Sequence, residues 1–156
     1  MRCGPCGGRG APARRIAEFP GVRIVLDTNV LVSAMLSGGG APDMALQLVL
    51  QGAVTLLADS RVLAEYDEVT ARPLFAFDAN ERRLLLDTLG AIAEPVVARP
   101  LRLALPDPDD RVFVEVAVAG RADAIVTGNV RHFAPRRGKL PVPALSPRQF
   151  VNRMRR

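Results

Sequence analysis

Four acids, a threonine and an asparagine set the chemistry this chain can offer: Asp27, Glu65, Asp109, Asp110, Thr127 and Asn129. As ligands they present oxygen. Carboxylate, hydroxyl and amide oxygens suit a hard cation such as Mg²⁺ or Mn²⁺ better than zinc, which favours imidazole and thiolate. A hard cation held by carboxylates can activate a water and stabilise a leaving oxygen without a histidine base. His132 is the only histidine, so a mechanism using two imidazoles as acid and base is excluded. Beside Arg131 and Phe133, His132 reads as a packed or phosphate-facing side chain rather than a proton shuttle.

Each acid also has a plainer reading. Asp27 ends the apolar run Ile24-Val25-Leu26, where a buried parallel strand delivers polar groups at its carboxyl end. There it either caps a following helix through the Asn29 or Val30 amide or ligates a metal, with Thr28 and Asn29 adding two more oxygen-bearing side chains. Ile125-Val126-Thr127-Gly128-Asn129 has the same form. Glu65 lies three residues after Val62 and four before Val69, so it flanks the apolar face that Val62, Tyr66 and Val69 share on a helix. A carboxylate there costs desolvation unless it is metal-bound or paired, with Arg61 at i−4 as the nearest partner. Asp107, Asp109 and Asp110 crowd one helix start. Asp107, just before Pro108, is explained as the cap. Asp109 and Asp110 then repel one another, and a cation is the natural compensator.

The elements that must position these residues alternate regularly from Val22. Strands are expected over residues 23–26, 54–58, 95–98, 124–127 and 144–145. Helices are expected through Val30 to Ala34, from Pro42 to near Gly52, and from Asp59 or Ser60 to about Arg72. Others run over residues 80–93, with Leu84, Leu85, Leu89 and Ile92 as the apolar stripe, from Asp107 to just before Gly120, and from Ser146 to the basic terminus. Strands alternating with helices argue for an α/β domain of three layers, α/β/α, with a central, mainly parallel sheet, formed by residues 22–156. In such sheets sites form outside the carboxyl ends of the strands. Residues 1–21 are rich in Gly, Pro and Arg, lack any period, and read as a disordered or loosely packed N-terminal extension. Cys3-Gly4-Pro5-Cys6 within it copies a redox dithiol string but lacks the preceding strand and the helix start that activates a thiolate. Two cysteines and a distant histidine also fall short of a zinc site.

With 156 residues, 49% of them hydrophobic, the chain supports one core, and with 4% aromatics and no Trp that core must be aliphatic. No apolar run approaches the roughly 20 residues of a membrane span. No apolar h-region of about 7–15 residues follows the start, and a cytoplasmic location is expected. The net charge of +5 favours polyanionic partners, nucleic acid first. Arg131, Arg136, Arg137, Lys139 and Arg148 follow Asn129 and are the expected contacts, unless they are only a solvated charge run.

Four segments together resemble the motifs of PIN-domain ribonucleases. Val25-Leu26-Asp27-Thr28-Asn29-Val30-Leu31-Val32-Ser33-Ala34 is similar to the first. Ser60 through Val69, with Glu65-Tyr66, resembles the second. Asp109-Asp110 followed by Phe113 and Ala117 resembles the third, and Ala122 to Asn129 followed by His132-Phe133 the fourth. The likeness spans residues 22–150 in order and is greatest to toxin components of toxin–antitoxin systems. It implies a PIN-like fold, a Mg²⁺- or Mn²⁺-dependent endoribonuclease acting on RNA phosphodiester bonds, and an antitoxin protein as partner; a homodimer is compatible with it. It also implies that Asp27, Glu65 and Asp110 take the three core acid positions, with Asp109 beside them, and that Thr127 orients a ligand or water. Many members carry a fourth acid where this chain has Asn129, which keeps a carbonyl oxygen but loses a charge. Two other readings stay open. A non-catalytic RNA- or protein-binding PIN-like module accommodates Asn129 and the basic tail. A haloacid-dehalogenase-like phosphatase would use Asp27 as nucleophile, but it needs an acid where Asn29 stands and an acidic pair after Thr127 rather than before it.

Overall fold

The computed structural model describes residues 21–156. The extension expected over residues 1–21, with Cys3 and Cys6, therefore lies outside the described residues apart from Gly21. Five parallel strands form one sheet in the order β3-β2-β1-β4-β5. They are β1 (Arg23–Leu26), β2 (Thr55–Ala58), β3 (Glu94–Pro95), β4 (Ala124–Val126) and β5 (Ala144–Leu145). The helices are α1 (Thr28–Leu36), α2 (Ala41–Leu50), α3 (Ser60–Thr70), α4 (Ala79–Ile92), α5 (Arg111–Ala119) and α6 (Pro147–Met154). Parallel crossovers are right-handed. Connections that step outward from β1 through β2 to β3, then back across to β4, therefore cover both faces and make three layers.

The central strands are continuous apolar runs because both of their faces are covered. Ile24, Val25, Leu26, Ile125 and Val126 are fully buried. Ile24 pairs with Ala124, Val25 with Ile125 and Leu26 with Val126, so β1 and β4 end level with each other. The ladder then runs one residue further. The Asp27 N–H donates to Val126 O and the Thr127 N–H to Leu145 O, each at 2.9 Å. Asp27 and Thr127 thus sit side by side at the carboxyl edge. Pro95, which has no N–H to give a ladder, lies on the edge strand β3.

Local signals set the helix starts. Asp59 accepts from the Val62 N–H at 3.0 Å, Asp78 from the Glu81 N–H at 2.9 Å, and Ser146 with Gln149 closes a capping box before α6. α2 begins at Ala41, one residue before the expected Pro42. The stripe expected on α4 is narrower than its leucines suggest. Leu89 is buried and Leu85 and Leu86 are half-buried, but Leu84 is 70% and Ile92 44% exposed. Leu84 and Leu85 stand about 100° apart on the helix, so both cannot face α3. Gly120 caps the end of α5, and only glycine fits there because a Cβ would meet Leu57 Cδ1 at 2.8 Å.

Candidate active site

At β1 the sheet order reverses: β2 lies on one side and β4 on the other. Open sheets form their crevices at this point, and here a cleft of roughly 520 Å³ opens. Asp27, Glu65, Asp109, Asp110 and Asn129 all line it. Five of the six expected site residues therefore converge, and the sixth, Thr127, is buried directly behind Asp27.

Asp27 occupies the cap position of α1 but makes no side-chain cap bond. Its Oδ2 instead accepts from the Thr127 hydroxyl at 2.7 Å. Thr127 was expected to orient a ligand or water. In the structure its hydroxyl bonds Asp27, one of the expected ligands, and its Oγ1 also accepts the Asn129 N–H at 3.0 Å. Glu65 is set beside the cleft by α3, whose Val62 and Tyr66 are fully buried. Its Oε2 accepts from the Thr28 hydroxyl at 2.6 Å. Arg61 is not its partner, because that guanidinium is drawn to Asp59 and to buried Glu115, each at 2.8 Å.

The acidic helix start divides its labour. The Asp107 carboxylate accepts from the Asp109 N–H at 2.9 Å and caps a single 3₁₀ turn, Pro108–Asp110, ahead of α5. That turn leaves Asp109 exposed and Asp110 facing the cleft with its side chain 16% exposed. Asn129 lies on the rim. Its loop is pinned by Asn29, whose Oδ1 accepts the Gly128 N–H at 3.0 Å, so Asn29 is a positioning residue rather than a spare ligand. Past it, Phe133 packs edge-on against Phe113 of α5 at 6.5 Å, which brings His132 Nδ1 to 3.8 Å from Asp110 Oδ2.

The acids feel one another. Burial raises the Asp27 carboxyl above its ordinary value; the Thr127 hydroxyl works against this and the Glu65 charge adds to it. The Thr28 and Asn29 amides lie near enough to ease Asp27 slightly without forming a cap. Burial, then the charges of Asp27 and Asp107, push Asp110 up to about 7, with His132 opposing and Glu65 contributing. Such a set resists holding all its negative charge unless a cation compensates. Among the described residues no three His, Cys, Asp or Glu side chains stand close enough to cage a metal by themselves. The oxygen-only donors still fit a hard cation that keeps several of its own waters, as Mg²⁺ does.

Sequence reading missed Tyr66 as a site residue and took it only for core. Its buried hydroxyl donates to Leu26 O at 2.5 Å, tying α3 to the end of β1 next to Glu65. Glu115 was also missed. It takes the Arg61 guanidinium and the Leu101 N–H at 3.0 Å, and so binds α3, α5 and the 96–106 segment together. Arg131, Arg136, Arg137 and Lys139 are exposed and do not line the cleft, and Arg148 lines a separate depression with Gly39, Gly40, Asn152 and Arg155.

Comparison with known proteins bears on the fold and the family. An uncharacterized protein of Methanocaldococcus jannaschii is 28% identical over 111 residues, covering 69% of this chain and 71% of that protein. A chain in the crystal structure of VapBC2 from Rickettsia felis bound to a DNA fragment from their promoter is alike in fold. It has a TM-score of 0.53 at 19% identity, over 80% of this chain and 98% of that one. The family model described as PIN domain matches residues 23–131, from β1 to the turn after β4, and so includes all six oxygen-bearing site residues. This chain belongs to the PIN domain family.

Proposed function

We propose that this protein is a metal-dependent endoribonuclease, using Mg²⁺ or Mn²⁺ to hydrolyse RNA phosphodiester bonds, and that it is the toxin of a toxin–antitoxin pair. The carrying observation is the composition of the cleft. Among the described residues six carboxylates line it, those of Asp27, Glu65, Glu68, Asp107, Asp109 and Asp110, against one arginine, Arg72. In a chain of net charge +5 that is a local inversion of sign. A polyanion is repelled from it until a cation neutralises the acids.

When bound, a divalent cation there would supply an activated water and charge neutralisation at the phosphate. Asp27, Glu65 and Asp110 would hold it, with Asp109 at the rim. Thr127 fixes one oxygen of Asp27 and Thr28 one oxygen of Glu65, so each carboxylate keeps a second oxygen for the site. Asn129 offers an uncharged amide oxygen on the β4 side. Exposed Arg131, Arg136, Arg137 and Lys139 supply a basic surface for the rest of the RNA. The antitoxin partner rests on the motif resemblance and on the fold likeness to the VapBC2 chain. A cytoplasmic setting belongs to the same reading; no helix among the described residues is long and apolar enough to cross a membrane.

Asn129 in place of an acid favours a second reading, a PIN-like module that binds RNA or protein without cleaving. One experiment separates them. RNA is incubated with wild-type protein and Asp27→Asn in Mg²⁺, Mn²⁺ or EDTA, with an aryl phosphate alongside. The ribonuclease reading expects cleavage by the wild type only, lost in EDTA, while Asp27→Asn stays folded with equal or higher thermal stability. Tight RNA binding without cleavage in any metal would establish the non-catalytic module. Turnover of the aryl phosphate alone would establish a phosphatase.

A further inference from the structure

The segment between α3 and α4, Arg72-Pro73-Leu74-Phe75-Ala76-Phe77-Asp78, contributes none of the acids that would hold a metal, yet it walls their cleft. Arg72 and Phe75 line the depression that holds Asp27, Glu65 and Asp110. Phe75 and Phe77 stack with ring centroids 5.5 Å apart and planes 16° from parallel. Phe77 in turn lines a smaller neighbouring depression with Met35 and Leu85. The two rings therefore stand as a double wall between the hollows.

Their exposure sets them apart. Phe113, Phe133, Phe150 and Tyr66 are at most 1% exposed. Phe75 and Phe77 are only half-buried, and Leu74 beside them is 86% exposed. In a protein with 4% aromatic residues, the two described rings left partly in water are stacked together at the mouth of the acidic cleft. An apolar shelf kept there marks a contact surface. Its neighbour gives the contact a charge. Among the described residues Arg72 is the one arginine lining the cleft, and its one ion pair there, with Glu68 at 3.8 Å, joins side chains that are 56% and 75% exposed. A pair so solvated binds weakly and exchanges readily for a phosphate.

We propose that Phe75, backed by Phe77, is the stacking platform for an unpaired base of the RNA, and that Arg72 takes a phosphate beside that base. This rests on the ribonuclease reading and adds a subsite to it. Every base has a π-face, so such a platform holds and registers the strand without reading its sequence. The acids alone give no hold on a base. Phe75 places one within the same cleft and so fixes which phosphate meets Asp27, Glu65 and Asp110.

The test is binding, measured in an Asp110→Asn background in Mg²⁺ to suppress hydrolysis. The probe is a single-stranded RNA of about 12 nucleotides, enough to cover a site of about 4–16, carrying fluorescein for anisotropy and 2-aminopurine, in separate oligonucleotides, at each position. The variants are Phe75→Leu, which keeps apolar bulk without a ring, Phe75→Trp, and Arg72→Gln, with thermal unfolding of each. Phe75→Leu should weaken binding roughly 5- to 20-fold and abolish the quenching of 2-aminopurine at one position, while Phe75→Trp restores both. Arg72→Gln should reduce the log–log salt slope by about 0.7. Undiminished binding and quenching in a folded Phe75→Leu variant would overturn the platform and leave the shelf to a protein partner. The two readings fail separately. A protein that cleaves RNA but is indifferent at Phe75 keeps the ribonuclease and loses the platform. One that never cleaves, yet loses strand affinity with Phe75→Leu, keeps the platform and loses the ribonuclease.

Discussion

Replacing Asp110 with asparagine should stabilise the metal-free protein at pH 8 and have little effect near pH 4. In the fold the Asp110 carboxyl is pushed from 3.8 up to about 7, by burial first and then by the charges of Asp27 and Asp107. The unfolded chain releases that proton near the ordinary value, and the folded chain keeps it until about neutral pH. Between the two, the folded state binds more protons, so raising the pH costs stability at up to about 1.4 kcal/mol per pH unit. The full effect spans roughly three pH units and so reaches about 4 kcal/mol at most. The cleft is open to water, which screens the repulsion, and about 2–4 kcal/mol is the expected range. The penalty is absent below the unfolded value, grows through the interval and is complete above pH 7. Asparagine removes the titrating charge and with it this slope.

Urea unfolding of both proteins at pH 4, 6 and 8 in EDTA reads the effect as a difference between them, which cancels the other titrating groups. The gap should open with rising pH in favour of Asp110→Asn. Adding Mg²⁺ at pH 8 should then stabilise the wild type more than the variant, since a ligand stabilises only the state that binds it. The same stability difference at pH 4 and pH 8 in EDTA would refute the reasoning, because burial and the neighbouring acids would then impose no penalty on the Asp110 charge.

Three further outcomes follow from the same geometry. Thr127→Val keeps the side-chain volume but removes the hydroxyl that holds Asp27; RNA cleavage should fall on the order of 10²-fold in kcat with KM little changed, because positioning and not binding is lost. Asn129→Asp adds a charge to the rim, and calorimetric titration should show tighter Mg²⁺ or Mn²⁺ binding; an unchanged affinity would put position 129 out of reach of the metal. Despite burial, the Leu101 amide and Arg61 hold the Glu115 carboxyl below its usual range. Its stabilisation is therefore present above the ordinary glutamate value and lost as the pH falls through the folded value. Glu115→Ala should cost about 2–3 kcal/mol at pH 7 by urea unfolding, with the difference shrinking in acid.

Some of this was legible in the chain and some was not, for physical reasons. Buried parallel strands must be apolar on both faces, so Ile24-Val25-Leu26 and Ile125-Val126 announced themselves, and their abrupt polar ends marked the sheet edge. Caps are local, so Asp59, Asp107 and Ser146 were readable from their neighbours. The flank of a helix is likewise a matter of spacing, which is how Glu65 was readable between Val62 and Val69. Partners across the fold are not local. Nothing in the spacing of Arg61 predicts that it leaves Glu65 for Glu115, because that depends on α5 lying beside α3. The Tyr66 hydroxyl and the Thr28–Glu65 bond depend on the sheet order in the same way. Asp109 and Asp110 looked equivalent until the 3₁₀ turn turned one inward. The shelf at Phe75 was invisible because a ring's exposure is set by what fails to cover it.

The choice of hydrogen-bond donors bears on what the acids are for. Elsewhere this arginine-rich chain pairs its carboxylates with guanidinium groups: Glu94 with Arg23, Asp67 with Arg82, Glu115 with Arg61. Two of the acids at the cleft, Asp27 and Glu65, are held otherwise. Asp27 receives the Thr127 hydroxyl, Glu65 the Thr28 hydroxyl, and Tyr66 bonds the backbone between them. These bonds link β4 to β1, α1 to α3 and α3 back to β1. A neutral hydroxyl fixes a carboxylate in place yet leaves its charge uncancelled, whereas an arginine would fix it and cancel it. With 21 basic residues to draw on, pairing these two acids with hydroxyls keeps negative potential in a cleft already arranged to meet a cation. Asp110, sharing that cleft, then has its charge opposed by burial and by its neighbours. A purely structural cluster would gain stability by drawing Arg72 onto Asp27 and Glu65, whereas Arg72 pairs loosely with the exposed Glu68.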